Sequence, residues 1–127
     1  MGTDLKAIVE VNINGKWTAK ITSTGKWKER NYRRFGALAN VRTDGPEPKG
    51  WPDDVSDSAE IERKNSLESD YFSVFSWETL NDAIRIFRET ERDKSVSRLS
   101  DIDLATKYFG LLIIPIEDCR ILFIFEG

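Results

Sequence analysis

The sequence predicts one α+β domain spanning residues 1–127, with a mainly antiparallel sheet built from N- and C-terminal hairpins and packed with two to four helices. Three observations predict it. Runs rich in β-branched and aromatic residues lie near both ends of the chain. Between them, apolar residues recur at helical spacing. The 127 residues are also enough to bury a core without disulfide or metal staples.

The elements follow in order. "LKAIVEVNINGKWTAKITS" is a hairpin, with Asn14-Gly15 supplying the two positive-φ positions of a type I′ turn. Its return strand starts at Trp17 and alternates through Ala19 and Ile21. "NYRRFGALANVR" is a short helix capped by Asn31. Tyr32, Phe35, Leu38 and Ala39 share its buried face, and Arg33 and Arg34 point away from it. Gly36 and Ala37 are small enough to let another backbone approach. "TDGPEPKGWPDDVSDS" holds three of the four prolines and is a loop, with Trp51-Pro52 as its anchor. Asp54 or Ser56 caps a polar helix through Ala59 to Asn65.

"YFSVFSW" is a strand, after which Ser76 caps "WETLNDAIRIFRETERD". Trp77, Leu80, Ala83, Ile84 and Phe87 form the apolar stripe of that helix. A further helix runs from its cap at Ser100 to Gly110. "LLIIPI" and "CRILFIFEG" form the C-terminal hairpin, with Pro115 at an edge or a bulge. In its last strand Cys119, Ile121, Phe123 and Phe125 share one face, and Arg120, Leu122 and Ile124 the other. Two apolar faces predict a central strand, covered on both sides or shared with another subunit. With few helices to cover both, a homo-oligomer is expected.

Composition narrows the chemistry. There is no histidine and one cysteine, Cys119. A Ser-His-Asp or Cys-His mechanism and an internal disulfide are excluded, and no structural zinc site or cofactor is expected. Strand alternation places Cys119 inside and inert, although neighbouring Arg120 offers a route to a lowered thiol pKa. Asp53, Asp54 and Asp57 lack the glycine and closing glutamate of a calcium loop, so capping and solvation are expected there. Asp101 and Asp103, or Asp4 and Glu10, make no convincing acid/base pair, and no enzyme activity is expected. No apolar run of membrane-spanning length occurs, and the N-terminus has no basic segment leading into an apolar one. A cytoplasmic protein without membrane contact is expected.

Charge is segregated along the chain. Residues 16–42 hold eight basic side chains and one acidic, a balance of +7, and residues 43–70 hold nine acidic and three basic, a balance of −6. One reading has the two segments neutralise each other, Arg30 and Arg42 pairing with Asp4, Glu10 or the acidic loop. The other makes an anion site of Trp27, Arg30, Tyr32, Arg33, Arg34 and Arg42, with guanidinium groups on a phosphate and an aromatic ring stacking a base. Intact nucleic acid is an unlikely ligand for a chain of net charge −3.

Several of these segments resemble a family of small proteins of tailed phages and prophages. The matching pieces are Met1-Gly2-Thr3-Asp4-Leu5, Val9-Glu10, Gly15-Lys16-Trp17, the Arg30 to Arg42 run, Gly50 to Ser56, and Arg120 to Gly127. Where the family reads H-S-x-S, this chain has Tyr71-Phe72-Ser73-Val74-Phe75-Ser76, so histidine-dependent chemistry is not carried over. The resemblance implies a phage accessory protein in the bacterial cytoplasm, of a kind that often counters host defence. Combined with the arginine helix, it implies sequestration of a phosphorylated nucleotide-type signal. The alternative is a protein–protein inhibitor or interaction module acting on a host protein, steered by the segregated charge.

Overall fold

A computed structural model describes residues 2–22, 30–69, 72–110 and 116–127. The chain is an α+β domain around a four-stranded antiparallel sheet in the order β2-β1-β4-β3. The strands are β1 (Asp4–Ile13), β2 (Lys16–Thr22), β3 (Ser73–Thr79) and β4 (Cys119–Glu126). The helices are α1 (Tyr32–Ala39), α2 (Asp57–Leu67), α3 (Leu80–Glu89), the single turn α4 (Lys94–Ser97) and α5 (Asp101–Phe109). Among the described residues that is one helix more than the sequence allotted, because Asp93 caps a short turn through Ser95 N.

The N-terminal hairpin forms around Asn14 and Gly15, at φ 53° and 82°. A bulge at Val9–Glu10 leaves Lys20 as the extra residue of β2, which interrupts the alternation expected through Trp17, Ala19 and Ile21. β4 is the central strand, as its two apolar faces require. Its neighbours are β1 and β3, so it is bonded on both edges. The other arm expected for the C-terminal hairpin, with Pro115, lies outside the described residues.

One face of the sheet carries Leu5, Ala7, Val9 and Val11 from β1 and Cys119, Ile121, Phe123 and Phe125 from β4, under α1, α3 and α5. The second face carries Ile8 and Leu122, covered by Ala59 of α2 and by Trp51, Val55 and Trp77. Every β4 residue from Cys119 to Phe125 is therefore buried within one chain. The bare apolar face on which the homo-oligomer expectation rested is filled by the molecule's own loop and α2.

The loop reaches that position along the outer edge of β3. Gly50 N donates to Phe75 O at 3.0 Å, Lys49 N to Ser76 Oγ at 3.1 Å, and Lys49 Nζ meets Glu78 Oε2 at 2.7 Å. Ser76 thus accepts from the loop instead of capping a helix. β3 runs on to Thr79, whose side chain accepts from Asp82 N and caps α3. Strand pairing takes Trp77 with it, opposite Leu122, so Trp77 packs on the second face and not on the stripe of α3. Ser56 caps α2, and Ser100 and Gly110 bound α5, as the sequence indicates. α1 ends at Asn40 in the left-handed region, which puts Arg42 beyond the helix. Gly36 meets the returning chain directly: a Cβ there would lie 2.5 Å from Thr43 O.

Candidate functional site

α1 is held by its two ends and one flank, and each uses an arginine. Arg30 precedes the helix. Its Nε and Nη2 both lie 3.0 Å from Asp4 Oδ1 at the start of β1, and its side chain is 48 % exposed. It passes so close over Gly2 that a Cβ there would sit 2.0 Å from Nη1. Arg42 folds back past the other end of α1. Its Nε donates to Thr3 Oγ1 at 2.7 Å and its guanidinium lies 5.3 Å from the Tyr32 ring centroid. Tyr32 is half-buried and its hydroxyl accepts from Thr3 N at 3.3 Å. Asp4 thus anchors Arg30, and the neighbouring Thr3 anchors Tyr32 and Arg42. Arg33 is exposed on the first turn of the helix. Trp27 lies outside the described residues.

Arg34 corrects the sequence expectation. It is 4 % exposed and turned inward. Nε donates to Thr90 Oγ1 at 2.9 Å, and Nη2 to Phe87 O at 3.0 Å and Glu91 Oε2 at 3.4 Å. The guanidinium carbon sits 4.2 Å from the Phe87 centroid and 5.0 Å from that of Tyr108, whose hydroxyl donates to Glu91. Asn31 Nδ2 adds a bond to Thr90 O at 2.8 Å. The physical reason is that α1 packs on α3 as well as on the sheet, so its buried arc is wider than its apolar stripe. Arg34 locks the helix and is not part of an outward wall.

A second polar cluster, absent from the expected site, lies on the opposite face of the sheet. Glu10 is fully buried; its Oε1 accepts from Arg120 Nε at 2.7 Å and its Oε2 from Ser56 N at 2.6 Å. Arg120 also donates to Asp54 Oδ1 at 3.0 Å and to Asp54 O at 3.3 Å, and its guanidinium stacks 3.9 Å from the Trp17 centroid. These contacts latch the acidic loop and α2 onto β1 and β4. Beside them a cavity of about 210 Å³ opens between the β1–β2 turn and residues 54–57. The signal for this cluster was present in the sequence: Glu10 and Arg120 each interrupt a strand whose neighbours are apolar on both sides.

Other candidates resolve simply. Asp4 and Glu10 each serve a different arginine and do not face one another as a pair. Asp101 and Asp103 are both exposed. Asp54 bonds Arg120 and Asp57 begins α2; among the described residues no three metal-binding side chains converge. Cys119 is buried, and desolvation, with Asp118 and Glu117 adding to it, pushes its thiol pKa up to about 11. No helix among the described residues is long and apolar enough to cross a membrane. Set against models of protein families, curated proteins and solved structures, the chain matches none of them.

Proposed function

We propose that this is a non-catalytic phage accessory protein of the bacterial cytoplasm that counters host defence by capturing a phosphorylated nucleotide-type signal. One observation carries the reading: Arg30 and Arg42 come from opposite ends of α1 to adjacent residues, Asp4 and Thr3, and the Arg42 guanidinium lies beside the Tyr32 ring. Guanidinium groups placed in that way suit a phosphate, which accepts paired charge-assisted bonds, and an adjacent aromatic ring suits a base. Arg33, exposed on the same helix, adds charge at the rim. Arg34 serves the site from behind by fixing the helix on α3.

Thermal unfolding against a panel of cyclic dinucleotides and ADP-ribose derivatives tests the reading. A ligand at 100 times its Kd stabilises the folded chain by about 2.7 kcal/mol. The gain is expected to shrink in Arg30→Ala and Arg33→Ala and with added salt. A folded sample that no panel member stabilises overturns the proposal.

A host protein as the target is the second reading, favoured by Ile61 and Leu67, which stand 59 % and 62 % exposed on α2 among charged neighbours. It requires a stoichiometric partner from host lysate that survives nuclease and phosphodiesterase treatment and is lost with Ile61→Asp.

A further inference from the structure

The cavity beside the Glu10–Arg120 latch has a chemistry of its own. At about 210 Å³ it is smaller than the roughly 300–1,000 Å³ of ordinary small-molecule sites, and it fits a single side chain. Its lining includes Trp17, Asp54, Asp57 and Lys16, the first residue of β2. Two acidic residues thus stand in the lining against one lysine, and Lys16 is exposed on a long stem that can carry its charge outward into water. Asp54 keeps 66 % of its side chain exposed while bonded to Arg120. Next to the opening, the protein already holds a guanidinium in this way: Arg120 rests on Trp17 and bonds both the carboxylate and the carbonyl of Asp54.

We infer that this cavity receives the side chain of an arginine on a partner protein. The guanidinium stacks against the indole and bonds Asp57 and the open side of Asp54, extending by one member the series that Arg120 begins. Arginine fits better than lysine because a planar, weakly hydrated cation both stacks and binds carboxylate side-on. The site lies across the sheet from α1 and does not depend on anion capture there.

The test uses the full chain labelled with ¹⁵N and titrated with capped arginine (N-acetyl-arginine amide), capped lysine and capped citrulline, the uncharged isostere of arginine. Saturable shifts in the millimolar range are expected for arginine at the Trp17 indole N–H and the amides of Gly15 and Asp57, with weaker ones for lysine and none for citrulline. Asp57→Lys, at an exposed position, is expected to weaken arginine binding by about tenfold or more, since it sets a like charge against the ligand. Asp57→Asn serves as the milder variant should the charge reversal disturb α2. No saturable shift with arginine in a folded sample, equal shifts from lysine or citrulline, or unchanged binding in a folded Asp57 variant each overturn the inference.

Discussion

Arg34 and Arg120 are equally buried, each 4 % exposed, yet the molecule accommodates them by different means. Arg34 bonds a hydroxyl and a carbonyl at the end of α3, with the Glu91 carboxylate at the longer distance of 3.4 Å and aromatic rings on its faces. Arg120 faces a carboxylate that has no solvent contact at all, and reaches a second at the surface. Around Arg34 the acceptors keep other bonds: Thr90 Oγ1 donates to Ile86 O, and Glu91 receives Tyr108. Around Arg120, Glu10 depends on its arginine for neutralisation. The same residue type at the same burial is thus a brace in one place and half of an obligatory pair in the other.

Replacing each arginine by methionine breaks or sharpens that contrast. Arg120→Met strands the Glu10 charge and is expected to destabilise by about 3–5 kcal/mol in urea melts. Adding Glu10→Gln is expected to return about 1–3 kcal/mol of it; no recovery would mean that the pair is not coupled. Phe35→Ala empties the site where α1 meets Phe125, with ring centroids 5.3 Å apart, and is expected to cost about 3–5 kcal/mol. Arg34→Met removes bonds but leaves Glu91, 11 % exposed, its bond from Tyr108, so a smaller loss of about 1–3 kcal/mol is expected, and Glu91→Gln should give less rescue than Glu10→Gln gives Arg120→Met. A loss as large as that of Arg120→Met would erase the distinction.

Smaller effects come from Cys119 and Arg33. The Cys119 thiol should resist iodoacetamide at neutral pH in the folded chain and react only on unfolding. Its pKa is raised on folding from 9.0 to about 11, so the native chain keeps a proton that the unfolded chain releases. Its contribution to stability is then complete below pH 9.0 and falls as pH rises to about 11, which urea melts across that range would read. Arg33→Ala is expected to change stability by less than about 0.5 kcal/mol while weakening ligand capture. A destabilisation comparable to that of Arg34→Met would place Arg33 inside with its neighbour.

What the sequence disclosed is what depends on neighbours in the chain. Asn14-Gly15 implies its turn, Ser56 and Ser100 imply their caps, and the alternation from Cys119 to Phe125 implies a strand buried on both faces. What it concealed depends on remote partners. Trp77 suits either a helical stripe or a strand, and pairing with Leu122 decides. Arg34 sits beside Arg33 with no local difference between them; the distinction comes from Thr90 and Glu91, more than fifty residues away. The arginine helix is conspicuous because its charges are dense in the sequence. The Glu10–Arg120 pair is not, because its members are 110 residues apart, although each stands out as a charge in an apolar strand.

The order of the sheet also bears on how the chain is made. β1 and β3 leave the ribosome before β4, the strand that lies between them, and Asp4 must wait for Glu126 as its cross-strand partner. Until β4 arrives, the nascent chain has an N-terminal hairpin and helices but no shared core strand, and β1 and β3 lack their common neighbour. Such an intermediate has open strand edges and apolar surface, the conditions that favour aggregation and slow closure of distant contacts. Closure of the sheet therefore waits for its last strand in chain order, and chaperone occupancy should persist on the emerging chain until residues 119–126 are available for pairing.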